Sequence, residues 1–439
     1  MGGSKKVLVL GASGLIGRFV TDDLRARGFH VVGVARRFSP SQAASAGDLE
    51  MPLVAMDSST LARLIGTNSI DVVVNCIGLL QDVPGSEVGA VHRDFVARLL
   101  GAIGECGRAI RLVHISIPGE AADDRTGFAT TKREAERLIE NSGVPCAILR
   151  PGFVIAPAAY GGSAMVRALA ALPFKLPAAE STVPFQPVMV EDVSATIAFL
   201  ASREIDEGTD AVVWDLMQKR PITLGGVIDS FRRSLGAKDL RRITIPAFAL
   251  DLGARSGDFA SLLGWTPPIR STALAELRRG VRGDPSAWMA ATGIVPADAA
   301  QATSLRPATI QHKWFARLYL IKALVIASLV AFWSVSGVIA LFVSYDAAAE
   351  ILLGHAFPRA LVAPITVLTS LMDIGIGVLI AFRRTAAFGL IAGIVASFGY
   401  MLGAAILTPD LWIEPLGALV KTGPAVVLML VALAILDNR

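Results

Sequence analysis

Cysteine and tyrosine are scarce in this chain of 439 residues, which holds three of the first and four of the second. Cys76, Cys106 and Cys146 form no Cys-x-x-Cys pair, and an odd number of widely spaced thiols neither frames a disulfide scaffold nor supplies a zinc site. A reducing cytoplasm is the reading that follows. No cysteine occurs after Cys146, so dithiol redox chemistry in the later part of the chain has no atoms to use. Charge is sparse as well: 18% of residues are charged, the net charge is +4, and from His312 onward there are 8 basic and 6 acidic side chains. No basic tract stands out, which excludes nucleic acid as a partner. No metal site is expected, no internal repeat is visible, and residues 1–6 lack the apolar core of a secretory signal.

Hydrophobic residues are in excess, at 53% of the chain, and they are unevenly spread. Four apolar stretches near the C-terminus, Leu318–Val343, Leu361–Phe382, Ala386–Leu407 and Leu416–Leu436, each have about the length of a bilayer-spanning helix. They predict an all-α four-helix transmembrane bundle with the lipid bilayer as its partner. Lys313, Arg317, Lys322, Arg383 and Arg384 flank the same side of these spans, opposite Asp346, Glu350, Asp410 and Glu414, with Arg359 the one basic exception. By the positive-inside rule the N-terminal part and the C-terminus are cytoplasmic and the protein is multi-pass in the inner (plasma) membrane. Gly389-x-x-x-Gly393 and Gly399-x-x-x-Gly403 permit close helix contact, and Pro424 is expected to kink the fourth span. Asp373 and Lys421 lie within the apolar runs. An intramembrane acid is a functional candidate, set against a structural pair or a hydrogen-bonded packing residue. Lys322 reads as a snorkelling side chain.

The first strand begins almost at the N-terminus, and Gly11-Ala12-Ser13-Gly14-Leu15-Ile16-Gly17 follows it before a helix over Leu15–Arg27. Glycine allows the sharp turn and the close backbone approach that a dinucleotide pyrophosphate needs, and the helix N-terminus offers free N–H groups to its charge. Gly11, Ser13, Gly14, Leu15, Ile16, Gly17 and Arg18 therefore form the expected phosphate cradle. Apolar runs at Val31–Ala35, Leu53–Met56, Val72–Ile77, Leu112–Ile115 and Ala147–Leu149 alternate with helical patterns near Thr60–Ile65, Val91–Gly104 and Lys132–Ser142. This pattern predicts an α/β fold, a Rossmann-type doubly wound parallel sheet. No acid occurs between Asp23 and Asp48, while Arg36 and Arg37 end the second strand. An arginine there accommodates a ribose 2′-phosphate, so NADP is favoured, with NAD the alternative.

Gly11-x-x-Gly-x-x-Gly17, Val74-Asn75-Cys76-Ile77-Gly78, His114-Ile115-Ser116, Leu149-Arg150-Pro151-Gly152 and Pro187-Val188-Met189-Val190-Glu191-Asp192-Val193 occur in the order typical of atypical short-chain dehydrogenases. Over roughly its first 200 residues the chain resembles the NmrA-like proteins and the NAD(P)-binding accessory subunit of respiratory complex I. The tail, with Phe332-Trp333-Ser334-Val335-Ser336-Gly337 in its first span, resembles a DoxX-like membrane domain. The first resemblance implies cofactor contacts from Asp57, Cys76, Gly78, Lys132 and Pro151. It also implies a Ser-Tyr-Lys set for proton transfer, of which Ser116 and Lys132 are present while Phe128 stands at the tyrosine position. By likeness to isoflavone-reductase-like relatives, Lys132 serves as the acid/base; holding the ribose is the other role open to it. Tyr160 is a distant substitute, His114 reads as a packed or hydrogen-bonded histidine, and Asp192 as a helix cap and lobe-docking residue.

These readings place a Rossmann domain at residues 1–200, an interleaved substrate-side lobe at 151–305, a linker at 306–317 and the membrane domain at 318–439. They imply an NAD(P)H-binding oxidoreductase acting on a lipophilic or quinone-like substrate. The alternative is a non-catalytic NAD(P)H sensor or structural subunit with membrane-protein partners. A sugar-nucleotide epimerase needs the tyrosine that is missing.

Overall fold

The computed structural model describes residues 5–39, 47–82, 87–204, 211–237, 242–298, 301–303, 308–413, 417 and 419–436. It divides into two compact units, Met1–Arg255 with Pro268–Ala316 and Ser256–Pro267 with Arg317–Arg439.

In the first unit, β1 (Lys6–Leu10) carries four consecutive apolar residues with no exposure, Val7 to Leu10. A run buried on both faces belongs at the centre of a parallel sheet. β1 pairs in parallel with β2 (His30–Ala35) on one side and β4 (Val72–Asn75) on the other. β3 (Leu49–Glu50) extends the sheet beyond β2, and β5 (Arg111–Ile115) and β6 (Cys146–Pro151) extend it beyond β4. Three short strands, β7 (Phe153–Ile155), β8 (Phe174–Lys175) and β9 (Pro187–Met189), lie outside it before β10 (Val212–Leu216) rejoins at the far edge. The order is β10-β6-β5-β4-β1-β2-β3, so the chain reverses direction across the β1/β4 pair. In such sheets the crevice outside the strand C-termini at that switch point is the ligand site.

Alternation along each strand builds two cores. Val7, Val9, Val72, Val74, Val113 and Leu149 face one cluster, while Leu8, Leu10, Val73, Leu112 and Ile148 face the other. Helix α1 (Leu15–Ala26) contributes Val20 and Leu24 to the first cluster. Helices α2 (Ser58–Thr67), α3 (Phe95–Glu105) and α4 (Gly127–Glu140) contribute Leu61, Leu99 and Ile139 to the second. After α5 (Gly161–Ala171) and α6 (Ala178–Ser181), α7 (Val190–Ser202) returns to the first face with Val193 and Ile197. A third cluster joins α5 to α8 (Leu224–Ser234) through Val166, Leu224 and Phe231.

Several sequence expectations are corrected here. Leu53–Met56 is not a strand: Leu53–Ala55 forms a single 3-10 turn, and the third strand is the two-residue β3 ahead of it. Pro52 intervenes and has no N–H to give a ladder. β10 was not foreseen, because its sequence Val-Val-Trp-Asp-Leu interrupts the apolar run with an acid. Asp192 does not cap α7, which starts from Met189; it lies in the first turn and accepts the Ala297 N–H at 3.2 Å, a docking contact. The segment expected as a linker lies partly outside the described residues. What is described of it starts at Ala308, whose N–H donates to Ser234 O at 3.0 Å.

Among the described residues three helices are long and apolar enough to cross a membrane: Ile310–Val343, Arg359–Ala381 and Ala386–Leu407. The fourth apolar helix is shorter than expected, Thr422–Ile435. Lys421 therefore precedes it rather than lying a turn inside, and Pro424 occupies its first turn, where a missing N–H removes no helical bond and makes no kink. A separate helix, Tyr345–Gly354, fills the first connection. Of the two glycine pairs, only Gly389 and Gly393 make close approaches: a Cβ there would come 2.8 Å from Ile380 N and 2.7 Å from Met429 S, whereas Gly399 and Gly403 have nothing within 4 Å. Gly337 and Gly377, which had not been singled out for packing, bring the first two spans together; a Cβ on Gly377 would lie 2.1 Å from Ser334 Oγ. Asp373 takes its hydrogen bond from Tyr400 Oη at 2.7 Å, not from Lys421. Lys322 donates to Leu436 O at 3.0 Å instead of only snorkelling.

Candidate functional site

The loop after β1 is built by its glycines. Gly11 has φ +82°, in the left-handed region, and a Cβ there would press on Cys76 C and Ile77 N at 3.2 Å. A Cβ on Gly17 would stand 2.2 Å from Gly11 O, so only glycine lets α1 pack against the end of β1. Gly14 is the N-cap of α1 and supplies no side chain to the helix N-terminus, and no acid lies in the first turn. The first amides of α1 are therefore not capped by a side chain and carry the positive end of the helix dipole, the requirement for a pyrophosphate. A nicotinamide dinucleotide fits this cradle. Ser13, Leu15 and Ile16 are half-buried in it, and Arg18 is exposed at its edge, 4.0 Å from Asp22.

At the end of β2, Arg36 and Arg37 are exposed. The nearby buried acid Asp48 accepts the Gly33 N–H at 3.1 Å and pairs with Arg25, so its charge is already engaged. Asp57 is the N-cap of α2, accepting from Thr60 N at 2.8 Å and Ser59 Oγ at 3.1 Å. These bonds hold its carboxyl below the usual range.

The other expected residues gather where β4, β5 and α4 meet. Lys132 is 4% exposed, and its Nζ donates to Ile115 O at 2.8 Å and Ile77 O at 3.3 Å. Two carbonyls do not balance a full charge, and burial pushes the amine down to about 8. A Cβ on Gly78 would lie 3.8 Å from Nζ, which places the loop after β4 beside the lysine. The same burial pushes the Cys76 thiol up to about 12, so it stays protonated. Ser116 follows Ile115; its N–H donates to Leu149 O at 2.7 Å, and among the described residues its buried hydroxyl makes no well-aligned hydrogen bond, although it lies near the Glu136 carboxylate. Pro151 is buried at the end of β6, opposite Leu216. Tyr160 is 47% exposed at the N-cap of α5 and has no hydrogen bond to Lys132 or Ser116 among the described residues.

Three participants, His92, Thr131 and Asn75, are not singled out as site residues by the sequence. His92 lies in a π-helical turn, Ala90–Asp94, a distortion often found at functional sites. Leu79 N–H donates to its Nε2 at 3.0 Å, which leaves the proton on Nδ1 to donate to Thr131 Oγ1 at 2.9 Å, while Thr131 donates to Gly127 O at 2.7 Å. Burial first, and then the Lys132 charge, push His92 down to about 2, so it is neutral. Phe128 meets the His92 ring edge-on at 5.6 Å. Asn75 Nδ2 donates to His114 Nδ1 at 3.1 Å, so His114 carries its proton on a buried Nε2 that lacks a partner among the described residues. His114 is thus packed and hydrogen-bonded, as expected. Asn75 was within a quoted motif; His92 has no local signal at all, because helix and loop are joined only by the fold.

One turn beyond Lys132, Glu136 receives Arg150 in bidentate fashion, at 2.8 and 2.7 Å, and Arg133 at 3.0 Å. Arg133 continues to Asp124 at 2.9 Å, and Asp124 pairs with Arg279. Glu136→Ala would strip Arg150 of its ion-pair partner and leave Arg133 with Asp124 alone, and is expected to cost about 3–5 kcal/mol, read as a lowered thermal midpoint. Beyond this network a cleft of about 610 Å³ opens from the N-terminus of α4, lined by Thr126, Arg125, Arg255, Arg278 and Arg282 among others. Arg125 and Arg255 have no ion pair among the described residues.

Comparison with known proteins fits this architecture. Residues 7–205 match the NAD dependent epimerase/dehydratase family, and residues 330–430 match the DoxX-like family. A dTDP-6-deoxy-L-talose 4-dehydrogenase (NAD(P)(+)) of Kitasatospora kifunensis is 29% identical over 131 residues, which span 30% of this chain and 40% of that relative. Among solved structures, MoeE5 in complex with UDP-glucose and NAD superposes with a TM-score of 0.52 at 19% identity, covering 72% of this chain and 99% of MoeE5. The UDP-glucose 4-epimerase of Thermotoga maritima gives 0.53 at 14% identity, covering 72% and 99%. These likenesses are of fold. The chain joins an epimerase/dehydratase-type, short-chain-dehydrogenase-like Rossmann domain to a DoxX-like membrane domain.

Proposed function

We propose that this chain, an epimerase/dehydratase-type Rossmann domain joined to DoxX-like helices, is an NAD(P)H-dependent oxidoreductase anchored in the plasma membrane, with its Rossmann domain in the cytoplasm. The observation that carries the reading is Lys132 Nζ, buried between Ile77 O and Ile115 O beside Ser116 at the C-terminal ends of β4 and β5. The pyrophosphate would lie on Gly11, Ser13, Gly14, Leu15, Ile16 and Gly17, with Arg18 and Arg36 facing the phosphates, Asp57 toward the adenine, and Cys76, Gly78, Lys132 and Pro151 along the remainder. When bound, the cofactor supplies a hydride. The protein's part is proton supply and orientation: Ser116 Oγ orients the substrate oxygen, and Lys132 Nζ holds the proton that oxygen needs. Neutral His92, tied to Thr131, fixes the face of α4 that presents the lysine. The DoxX-like helices bring the site to a lipophilic or quinone-like substrate, and Arg125 and Arg255, which line the 610 Å³ cleft beside Asp123, Asp251 and Glu276 without an ion pair among the described residues, favour one that also bears an anionic group.

Arg36 supports NADPH over NADH. Arg36→Ala in the full chain is expected to weaken NADPH by about 10- to 100-fold, the loss of one charge-assisted phosphate contact, and to leave NADH unchanged within about twofold. A fluorescence titration of both cofactors reads this, and equal effects on the two would reject the assignment. A second reading, a cofactor-binding sensor or structural subunit without turnover, is favoured by Phe128, which has no titratable group one turn before Lys132. Membranes whose NADPH oxidation is the same with and without the gene would favour it.

A further inference from the structure

Arg167, on α5, is a guanidinium in an apolar place. One terminal nitrogen donates to Ala156 O at 2.5 Å and to Pro157 O at 3.3 Å, and its plane lies 4.9 Å from the Phe231 ring centre. Its Nε is buried with no hydrogen-bond partner, and no carboxylate pairs with it among the described residues. A guanidinium does not shed its proton to escape such a setting, so it calls for an external counter-charge. Beside it is a cavity of about 130 Å³, closed by α5, α8 and the first turns of helix Ile310–Val338. Among the described residues its lining includes Arg167, His312, Ser234 and Thr303, and no Asp or Glu. Thr309 N–H donates to His312 Nδ1 at 3.3 Å, which leaves the imidazole Nε2 to carry the proton as a second donor. The volume is that of about four waters, the scale of a tetrahedral oxyanion.

We propose that this cavity is a phosphate-binding site, separate from the dinucleotide cradle, in which Arg167 and His312 hold one phosphate group. The planar fork of arginine suits phosphate oxygens, and the aromatic face behind it fixes the fork in place. An occupant would bridge α5 to the root of the helix that leads into the apolar spans. The phosphate comes either from a soluble phosphate compound or from a lipid headgroup.

The test is isothermal titration of inorganic phosphate into the full chain in phosphatidylcholine nanodiscs, in chloride buffer with NADPH saturating. Saturable binding of one phosphate per chain is expected, weakened at least about tenfold in Arg167→Gln and in His312→Gln, with the NADPH affinity of both variants unchanged. Repeating the wild-type titration in nanodiscs containing phosphatidic acid identifies the source: lost phosphate binding means the headgroup occupies the cavity, retained binding means a soluble ligand. Should Arg167→Gln fail to fold, judged by the loss of a cooperative thermal melt, His312→Gln decides alone. Equal phosphate affinity in wild type and every folded variant overturns the proposal. So does a wild type that binds no phosphate and melts at the same temperature with and without phosphatidic acid. Repeating the phosphate titration without NADPH separates a failure of the cofactor reading from a failure of this one.

Discussion

Lys132→Ala is expected to lower NADPH oxidation by the full chain by about 10²- to 10⁴-fold, the usual contribution of a positioned acid or base. Cofactor binding should weaken by no more than about tenfold, because the glycine loop and Arg36 are untouched. The pH profile separates chemistry from mere ribose holding. Burial brings Nζ from 10.5 to about 8, so the amine is mostly protonated at pH 7 and mostly neutral at pH 9. As proton donor during reduction it loses competence as pH rises, and the reductive rate should fall through an inflection near 8. Run in the oxidative direction, the same group is the base and the rate should rise through that inflection. Lys132→Arg keeps a cation but cannot titrate in this range, so its profile should be flat there. The linkage sign is also fixed. Between about 8 and 10.5 the unfolded chain holds more protons than the folded one at this site, so its contribution to stability grows with pH across that window. A wild-type profile with no inflection between pH 7 and 9, together with a fully active Lys132→Ala, would remove the lysine from the mechanism.

Gly17→Val should abolish binding of both NADPH and NADH and lower stability by about 3 kcal/mol or more. The added Cβ would sit 2.2 Å from Gly11 O and 2.8 Å from Gly11 C, both backbone atoms, so no rotamer change relieves it. Either α1 withdraws from β1 or the Gly11 turn opens, and each displaces the amides offered to the pyrophosphate. Gly66→Ala is the matched control: α2 leaves nothing within 4 Å of the new methyl. There the helix should gain up to about 1 kcal/mol, with cofactor affinity unchanged. Thermal melts and fluorescence titration of the two variants read the contrast. A Gly17→Val protein that binds either cofactor like the wild type would contradict the cradle.

The parts of this molecule that were legible in the sequence are those written locally. Val7–Leu10 states a doubly buried strand by its own composition, and the glycines after it state a turn and a close approach. The long apolar runs after Leu318 state membrane helices in the same way. What stayed hidden depends on partners far away in the chain. His92 joins the site only because α4 brings Thr131 to it across 39 residues. Arg279 reaches Asp124 across 155 residues, in an ion network that nothing in either segment announces. β10 has an acid in mid-strand and an edge position, so its pattern resembles a loop. The fourth apolar helix was over-extended because hydropathy ignores backbone geometry: Gly417 takes φ +58° and the helix begins only at Thr422.

The central claim is that the Gly11–Gly17 turn holds a nicotinamide dinucleotide, and it is tested most directly by titrating NADPH and NADH into the full chain in nanodiscs by calorimetry. The account predicts one saturable site per chain, with NADPH the tighter of the two. No binding of either cofactor to a chain that melts cooperatively would contradict it.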